Sequence, residues 1–322
     1  MGDVIRSALR MLWIFPAVLL LVLPGALRAE VRVVATSKPI HALVSSVMAG
    51  IGTPELLVGG QTSPHSYSMK PSDAQKVHNA DVFFRVSEQL EPFTRKLVQS
   101  LPGSVRVVSL IDAPGLTLLE MRRGGVFDGH EAHGPEIDEE PGLEHGHEGP
   151  HDPHIWLDPE NAKAMVEYIA EVLATIAPDQ ATTFATNAQA ELRRLTDLSE
   201  ELARELAPVV GKPFVVYHDA FQYFENRFGL AAVGSVTVNP DLPPSGKRLQ
   251  QLRSLIRSAG ARCVFAEPYL PSRAIEVIAE GTGAKTGILD PEGLTLQPGP
   301  QLYAELMRNL SRSFRACLLS SP

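Results

Sequence analysis

The stretch Asp158-Pro159-Glu160-Asn161-Ala162-Lys163-Ala164-Met165-Val166-Glu167-Tyr168-Ile169-Ala170-Glu171-Val172-Leu173-Ala174-Thr175-Ile176-Ala177-Pro178 decides the fold. It opens with a capping Asp, Pro at the first helical position and an acid in the first turn. Ala162, Met165, Val166, Ile169, Val172, Leu173 and Ile176 then recur at helical spacing, and Pro178 ends the pattern. At 1.5 Å per residue this helix is roughly 28 Å long. It sits midway between two halves that each alternate strand and helix signals, so it reads as a rigid spine joining two domains.

In the first half, strand patterns at 31–35, 55–58, 81–86 and 105–110 alternate with helical patterns after Ile40, at 71–79 and at 92–100. After the spine, Asp179 caps a second long helix whose apolar side carries Phe184, Ala188, Leu192, Leu195, Leu198, Leu202 and Leu206. The second half repeats the alternation, with strands at 214–217, 231–236, 262–266 and 284–289. Its helices fall at 221–228, 245–258, 272–281 and 301–318. Strands alternating with helices predict βαβ units, hence an α/β fold of two similar parallel-sheet domains joined by one long helix. The expected boundaries are 30–157 for the first domain, 158–178 for the joining helix and 179–322 for the second.

The N-terminus reads as a targeting segment. Arg6 and Arg10 precede an apolar run from Met11 to Leu23, Pro24-Gly25 breaks it, and Ala29 supplies a small residue before Glu30. The run is too short for a spanning helix, which needs about 20 residues, so 1–29 is expected to be a cleaved signal peptide and the mature chain an exported one. Export makes the even pair Cys263 and Cys317 read as one disulfide, closing a loop of about 54 residues. A two-Cys metal site is the competing reading, weakened by the wide spacing. The formal net charge is −8, no Lys/Arg block points to nucleic acid, and no second apolar run points to a membrane span.

Much of the acidity lies in one insert. Between Gly124 and Asp152 there is no Lys or Arg, and His130, His133, His145, His147 and His151 are interleaved with nine carboxylates. Imidazole and carboxylate are ligands for borderline divalent ions such as Zn²⁺, and a short His-rich tract of this kind reads as metal binding. A solvated acidic loop is the plainer alternative.

Five histidines remain. His65 follows the second strand pattern, His154 directly precedes the spine, and His218 ends the strand 214–218; Asp290 lies at the end of 284–289. Ligands in open α/β sheets bind beyond the carboxyl ends of strands, and two of these four residues come from each half, which points to a cleft between domains. Taken singly, a strand-end His is most often a packing residue and an Asp before Pro a turn residue. His41 and His78 lie within helical patterns and read as packing residues.

Four segments in register carry a resemblance. Pro64-His65-Ser66-Tyr67-Ser68-Met69-Lys70-Pro71-Ser72-Asp73, His154-Ile155-Trp156-Leu157-Asp158-Pro159, Tyr217-His218-Asp219-Ala220-Phe221-Gln222-Tyr223-Phe224, and the pair Ala266-Glu267-Pro268 with Leu289-Asp290-Pro291 follow one another as in a known family. They resemble the motifs of the cluster A-I (cluster 9) substrate-binding proteins of ABC metal importers, over the whole mature chain. The resemblance implies a pair of α/β domains joined by one helix, metal in the cleft, and His65, His154 and His218 as ligands. His218, the His-rich insert and the C-terminal disulfide resemble the zinc-binding type rather than the manganese type. Where some zinc-type members carry Glu before the first ligand, this chain has Pro64, so the fourth ligand is Asp290 or water, with Asp290 favoured.

Three neutral imidazoles and a carboxylate form a tetrahedral set suited to Zn²⁺ at about 2.0–2.2 Å, whereas Mn²⁺ prefers more oxygens. The expectation is a monomeric periplasmic receptor, not an enzyme, that carries Zn²⁺ as cargo to the permease of an ABC importer. Two rivals are a zinc hydrolase with a three-His site, for which Glu267 would be the base, and a manganese-binding or adhesin-like member of the same family. No HExxH or comparable motif places a base beside a metal.

Overall fold

The computed structural model describes residues 31–60, 62–122, 127, 150–237, 244–268 and 272–320. The expected signal peptide and the insert histidines His130, His133, His145 and His147 lie outside the described residues. The chain from Val31 onward forms one compact unit, and no described helix is long and apolar enough to cross a membrane.

The first half builds β1 (Val33–Ala35), α1 (Lys38–Val47), β2 (Glu55–Leu56), α2 (Pro71–His78), β3 (Val82–Arg85), α3 (Thr94–Ser100) and β4 (Arg106–Ser109). The strands form a parallel sheet in the order β2-β1-β3-β4, with Val34 opposite Phe83 and Phe83 opposite Val107. Beyond the two residues of β2, Leu57 N and Val58 N still donate to Ala35 and Thr36, so the expected strand at 55–58 keeps its pairing along its length. The run Val82-Phe83-Phe84 is fully buried, as a parallel strand covered on both faces requires.

Two long helices follow, α4 (Pro159–Ile176) and α5 (Ala181–Leu206), with a 3-10 turn Pro178–Gln180 between them. The second half then builds β5 (Phe214–His218), α6 (Gln222–Phe228), β6 (Ala232–Thr237), α7 (Gly246–Ala259), β7 (Cys263–Ala266), α8 (Ser272–Ala279), β8 (Lys285–Ile288) and α9 (Leu302–Leu318). Its sheet is again all parallel, in the order β6-β5-β7-β8. Both sheets therefore place the first strand of their half inside, flanked by the second on one side and the third on the other. That reversal of strand order opens a crevice at the carboxyl end of each sheet.

The helix that opens at Asp158 forms as its pattern predicts. Asp158 accepts from Glu160 N at 2.9 Å, and Ala162, Met165, Val166, Ile169, Val172 and Leu173 are all buried. It packs against α1 and α5. The chain passes from one sheet to the other along α5, which has 26 residues and spans about 39 Å. Near its start Asn187 Nδ2 donates to Val47 O and Ala49 O, closing the carboxyl end of α1 at 2.9 and 2.8 Å. Near its end Glu201 accepts from Arg308, and Glu205 accepts from Ser311 at 2.6 Å, both on α9. The joining role thus falls on the longer helix, whose apolar stripe, Phe184 to Leu206, was equally legible in the sequence.

Cys263 on β7 and Cys317 on α9 are disulfide-bonded. The bridge lies beside a cluster of Phe214, Phe265 and Phe314, whose rings meet edge to face. Gly287 on β8 lets the strand lie against this cluster: a Cβ there would meet the Phe265 ring at 2.7 Å and Cys317 Cβ at 3.5 Å. The bridge closes a loop with a sequence separation of 54, so it removes denatured-state entropy worth about 4 kcal/mol in the chain-entropy model. The double variant Cys263→Ser/Cys317→Ser should lose stability of that order in a denaturant titration. A midpoint equal to that of the unmodified protein would show that the aromatic packing alone holds α9.

Candidate metal centre

Three elements deliver three imidazoles to one point. His65 lies in the turn that leaves β2, where its N–H donates to Ser63 Oγ at 3.3 Å. The turn is anchored by Tyr67, whose hydroxyl donates to Asp73 and whose ring meets Phe93 edge to face at 5.1 Å. Asp73 also accepts from Lys70 N at 3.2 Å, which fixes the start of α2. His154 immediately precedes the 3-10 turn Ile155–Leu157, and His218 is the last residue of β5, the interior strand of the second sheet.

The geometry could hold a metal ion. One ring nitrogen from each of His65, His154 and His218 lies within 4.8 Å of the others, the one group among the described residues with this property. The Nε2 atoms of His65 and His154 are 3.2 Å apart. Two nitrogens on a tetrahedral Zn²⁺, each about 2.0–2.1 Å away, are separated by about 3.3 Å, so the pair already has the spacing of a shared ion. The ring centroids lie 4.9–5.3 Å apart. His154 and His218 are each 3% exposed, while His65 is half-buried and forms the solvent side.

Each buried ring is held from behind by a carboxylate. Asp152 Oδ1 accepts from His154 N at 3.0 Å and lies 2.7 Å from His154 Nδ1. A proton on Nδ1 leaves the Nε2 lone pair facing His65, the arrangement by which second partners orient ligand imidazoles. Burial pushes the Asp152 carboxyl up to about 7, and a dication on the far side of the ring favours its ionised form. Glu267 stands 3.6 Å from His218 Nδ1, the distance of an ion pair rather than a hydrogen bond. Asp152 Oδ2 and Glu267 Oε1 are buried without a hydrogen-bond partner, and Glu267 Oε1 is the oxygen that lies 3.6 Å from His218 Nδ1.

The titration of the rings follows. Burial and the neighbouring imidazoles hold His65 well below the usual histidine value, and burial with His218 does the same for His154. Both rings stay neutral. Burial pulls His218 down too, but Glu267, with Asp219 and Asp152 behind it, outweighs that and leaves it raised.

Asp290 is not among the grouped ligands. β8 ends at Ile288, and the Asp290 side chain turns into its own loop, where Oδ1 accepts from Glu292 N at 3.2 Å and Oδ2 from Thr295 N at 3.5 Å. An Asp before Pro used as a turn residue is the behaviour its sequence context allows. Of the insert histidines, His151 is described: it forms an antiparallel bridge with Glu120 at the stem of the insert and is not one of the three-ring group. His41 is a packing residue, its Nε2 at 3.0 Å from Pro54 O. Asp152 and Glu267 carry roles at the site that the ligand motifs do not spell out. For Asp152 the signal was its place two residues before a ligand histidine, and for Glu267 the strand end that it follows.

Comparisons with known proteins show the family. The family described as "Zinc-uptake complex component A periplasmic" matches residues 33–317. The chain is 44% identical over 306 residues to the high-affinity zinc uptake system protein ZnuA of Brucella abortus (strain 2308), covering 89% of this chain and 91% of that protein. It is 36% identical over 303 residues to the protein of the same name from Paracoccus denitrificans, covering 90% and 93%. A solved structure titled "Crystal structure of ZnuA" superposes with a TM-score of 0.74 at 22% identity, over 90% of this chain and 99% of that one, and supports the fold.

The raised His218 sets the expected pH dependence. A proton competes with metal for His218 at pH values where His65 and His154 are already neutral, so metal affinity should begin to fall above about 6.5 as pH drops. Replacing Glu267 by Gln removes the carboxylate that raises His218 and should move the onset of that fall to lower pH. Metal affinity titrated from pH 8 to 5.5 reads this directly, and an unmoved onset would show that Glu267 does not govern His218.

Proposed function

The chain belongs to the ZnuA family of periplasmic zinc-uptake components, and on that premise we propose that it is an exported receptor for Zn²⁺. It captures the ion between its two sheet-bearing lobes and hands it to the membrane permease of an ABC-type importer. The observation that carries this reading is the trio of imidazoles drawn from both halves of the chain, two of them with Nε2 atoms 3.2 Å apart. The ion is cargo, so the site needs affinity and a route of release rather than chemistry.

His65, His154 and His218 are the ligands. Three neutral imidazoles favour Zn²⁺ over Mn²⁺, which is lower in the affinity order and prefers oxygen. With both Asp290 oxygens engaged by backbone amides, a water completes the shell in this arrangement, and Asp290 is the carboxylate that replaces it when its turn opens. The insert histidines His130, His133, His145, His147 and His151 form a weaker, accessory store. Export through the segment 1–29 places the protein in the periplasm, as a monomer.

Calorimetric titration of Zn²⁺ into the mature protein tests this. One ion should bind tightly and further ions weakly, and deleting 124–149 should remove the weak phase alone. In the deleted protein, His65→Ala, His154→Ala and His218→Ala should each weaken tight binding by about 100-fold or more, beyond the usual cost of losing an orienting partner. Asp290→Ala should cost less, because a water can take the fourth position. Loss of the tight phase on deletion of the insert would refute the placement of the site, and an inert His218→Ala would refute the ligand set.

A further inference from the structure

The two stretches that bracket the His-rich insert, 119–122 and 150–152, are paired with each other. Glu120 and His151 form an antiparallel bridge, Met121 N donates to Pro150 O at 3.0 Å, and Asp152 N donates to Leu119 O at 2.8 Å. This stem leaves the first half of the chain, where Gln89 Nε2 reaches Met121 Sδ at 3.0 Å, yet most of its side-chain partners are in the second half, on the segment that follows His218. Tyr223 on α6 accepts from Leu119 N at 3.1 Å and donates to Asp152 O at 2.8 Å. Gln222 donates to Glu120 O at 3.1 Å.

Arg122 makes the strongest of these ties. Its Nε donates to Asp219 Oδ2 at 3.1 Å and its Nη2 to the other oxygen of Asp219. Nη1 and Nη2 each donate at 2.9 Å to the carboxylate of Glu225. The guanidinium is 19% exposed and both carboxylates 5%, so the triad is largely withdrawn from water. Such double bidentate pairing is specific in geometry and strong when desolvated. Its position matters more than its strength. Asp219 is bonded to His218 in the chain, and Tyr223 holds the backbone of Asp152, whose carboxylate orients His154. The stem therefore fastens the element bearing the third ligand to the element bearing the second.

Any opening of the cleft that separated β5 and α6 from the stem would break every one of these contacts. We propose that Arg122 is a positioning residue that latches the cleft, its paired hold on Asp219 and Glu225 setting how long Zn²⁺ remains bound. This rests on the receptor reading and adds to it the step that limits release. It also gives the insert a mechanical connection to the site through its stem.

Electrostatics alone predicts the opposite sign. Arg122 is a positive charge near a cation site, so removing it without any latch would slow release and speed association. A latch predicts faster release with association little changed, because truncating one partner of a desolvated charge pair acts chiefly on dissociation. The test is a stopped-flow chase of the full mature chain, loaded with one equivalent of Zn²⁺, into excess EDTA. Arg122→Met should speed release by about tenfold or more, with association within about twofold. Arg122→Lys, which keeps the charge but loses the fork, and Glu225→Gln, which keeps the fork but loses one charge, should fall between. Should Arg122→Met fail to fold, as judged by a melt without zinc, Glu225→Gln carries the test. Release that is unchanged or slower in the folded variants overturns the latch alone. An unmodified protein with no slow zinc phase overturns the receptor reading, and the latch with it.

Discussion

The contact between Asp152 and His154 is the constraint on which the site depends. A carboxylate 2.7 Å from Nδ1, sealed from water, fixes which nitrogen of His154 carries the proton and which faces the cleft. That choice needs a rigid frame, and the residues after His154 supply it. Trp156 Nε1 donates to Pro291 O at 2.8 Å, Tyr303 donates to Trp156 O at 2.8 Å, and Asp158 both caps α4 and pairs with Arg227 at 2.7–2.8 Å. One short segment, 152–158, thus carries the candidate ligand His154, starts a helix and is tied to the second half of the chain by Tyr223, Pro291, Tyr303 and Arg227. Buried polar groups of this kind are costly unless all are satisfied, and here the backbone and side-chain partners are nearly complete. Among the buried oxygens left without a hydrogen bond are Asp152 Oδ2 and Glu267 Oε1, the latter 3.6 Å from His218 Nδ1.

The same logic recurs at the mouth of the site. Lys38 at the start of α1 sends its ammonium to the carbonyls of Leu294 and Leu296 at 2.6 and 2.9 Å, tying the first half to the loop that carries Asp290. Burial lowers this lysine, while Asp290 opposes the shift. Charged side chains of each half therefore end on the other half. Affinity and release are then properties of how the halves are held as much as of the ligands themselves.

Much of this was legible in the sequence, for physical reasons. Parallel strands buried on both faces give uninterrupted apolar runs such as Val82-Phe83-Phe84, and amphipathic helices give the 3.6-residue stripes of α4 and α5, so both halves could be laid out element by element. His154 and His218 stand at element ends and His65 in the turn between β2 and α2. The order of the halves' motifs carried the rest. Less legible was anything decided by side-chain reach. Spacing could not say whether Asp290 would turn toward the cleft or toward its own backbone amides, and it turned toward the amides. Nor could it say that Arg122, at the edge of an acidic insert, would be buried between two carboxylates a hundred residues on. Sequence alone puts the helix that opens at Asp158 in the joining role, although α4 and α5 carry equally clear stripes. Contacts from α5 to α1 and α9 give that role to α5.

The central claim is that one Zn²⁺ is held by three imidazoles in the cleft. Zinc K-edge X-ray absorption on the mature protein loaded with a single equivalent measures this most directly. The account predicts a four-coordinate shell of nitrogen and oxygen at about 2.0–2.2 Å, with the outer-ring scattering of three imidazoles and no sulfur. A shell containing sulfur, or one with fewer than three imidazoles, would contradict it.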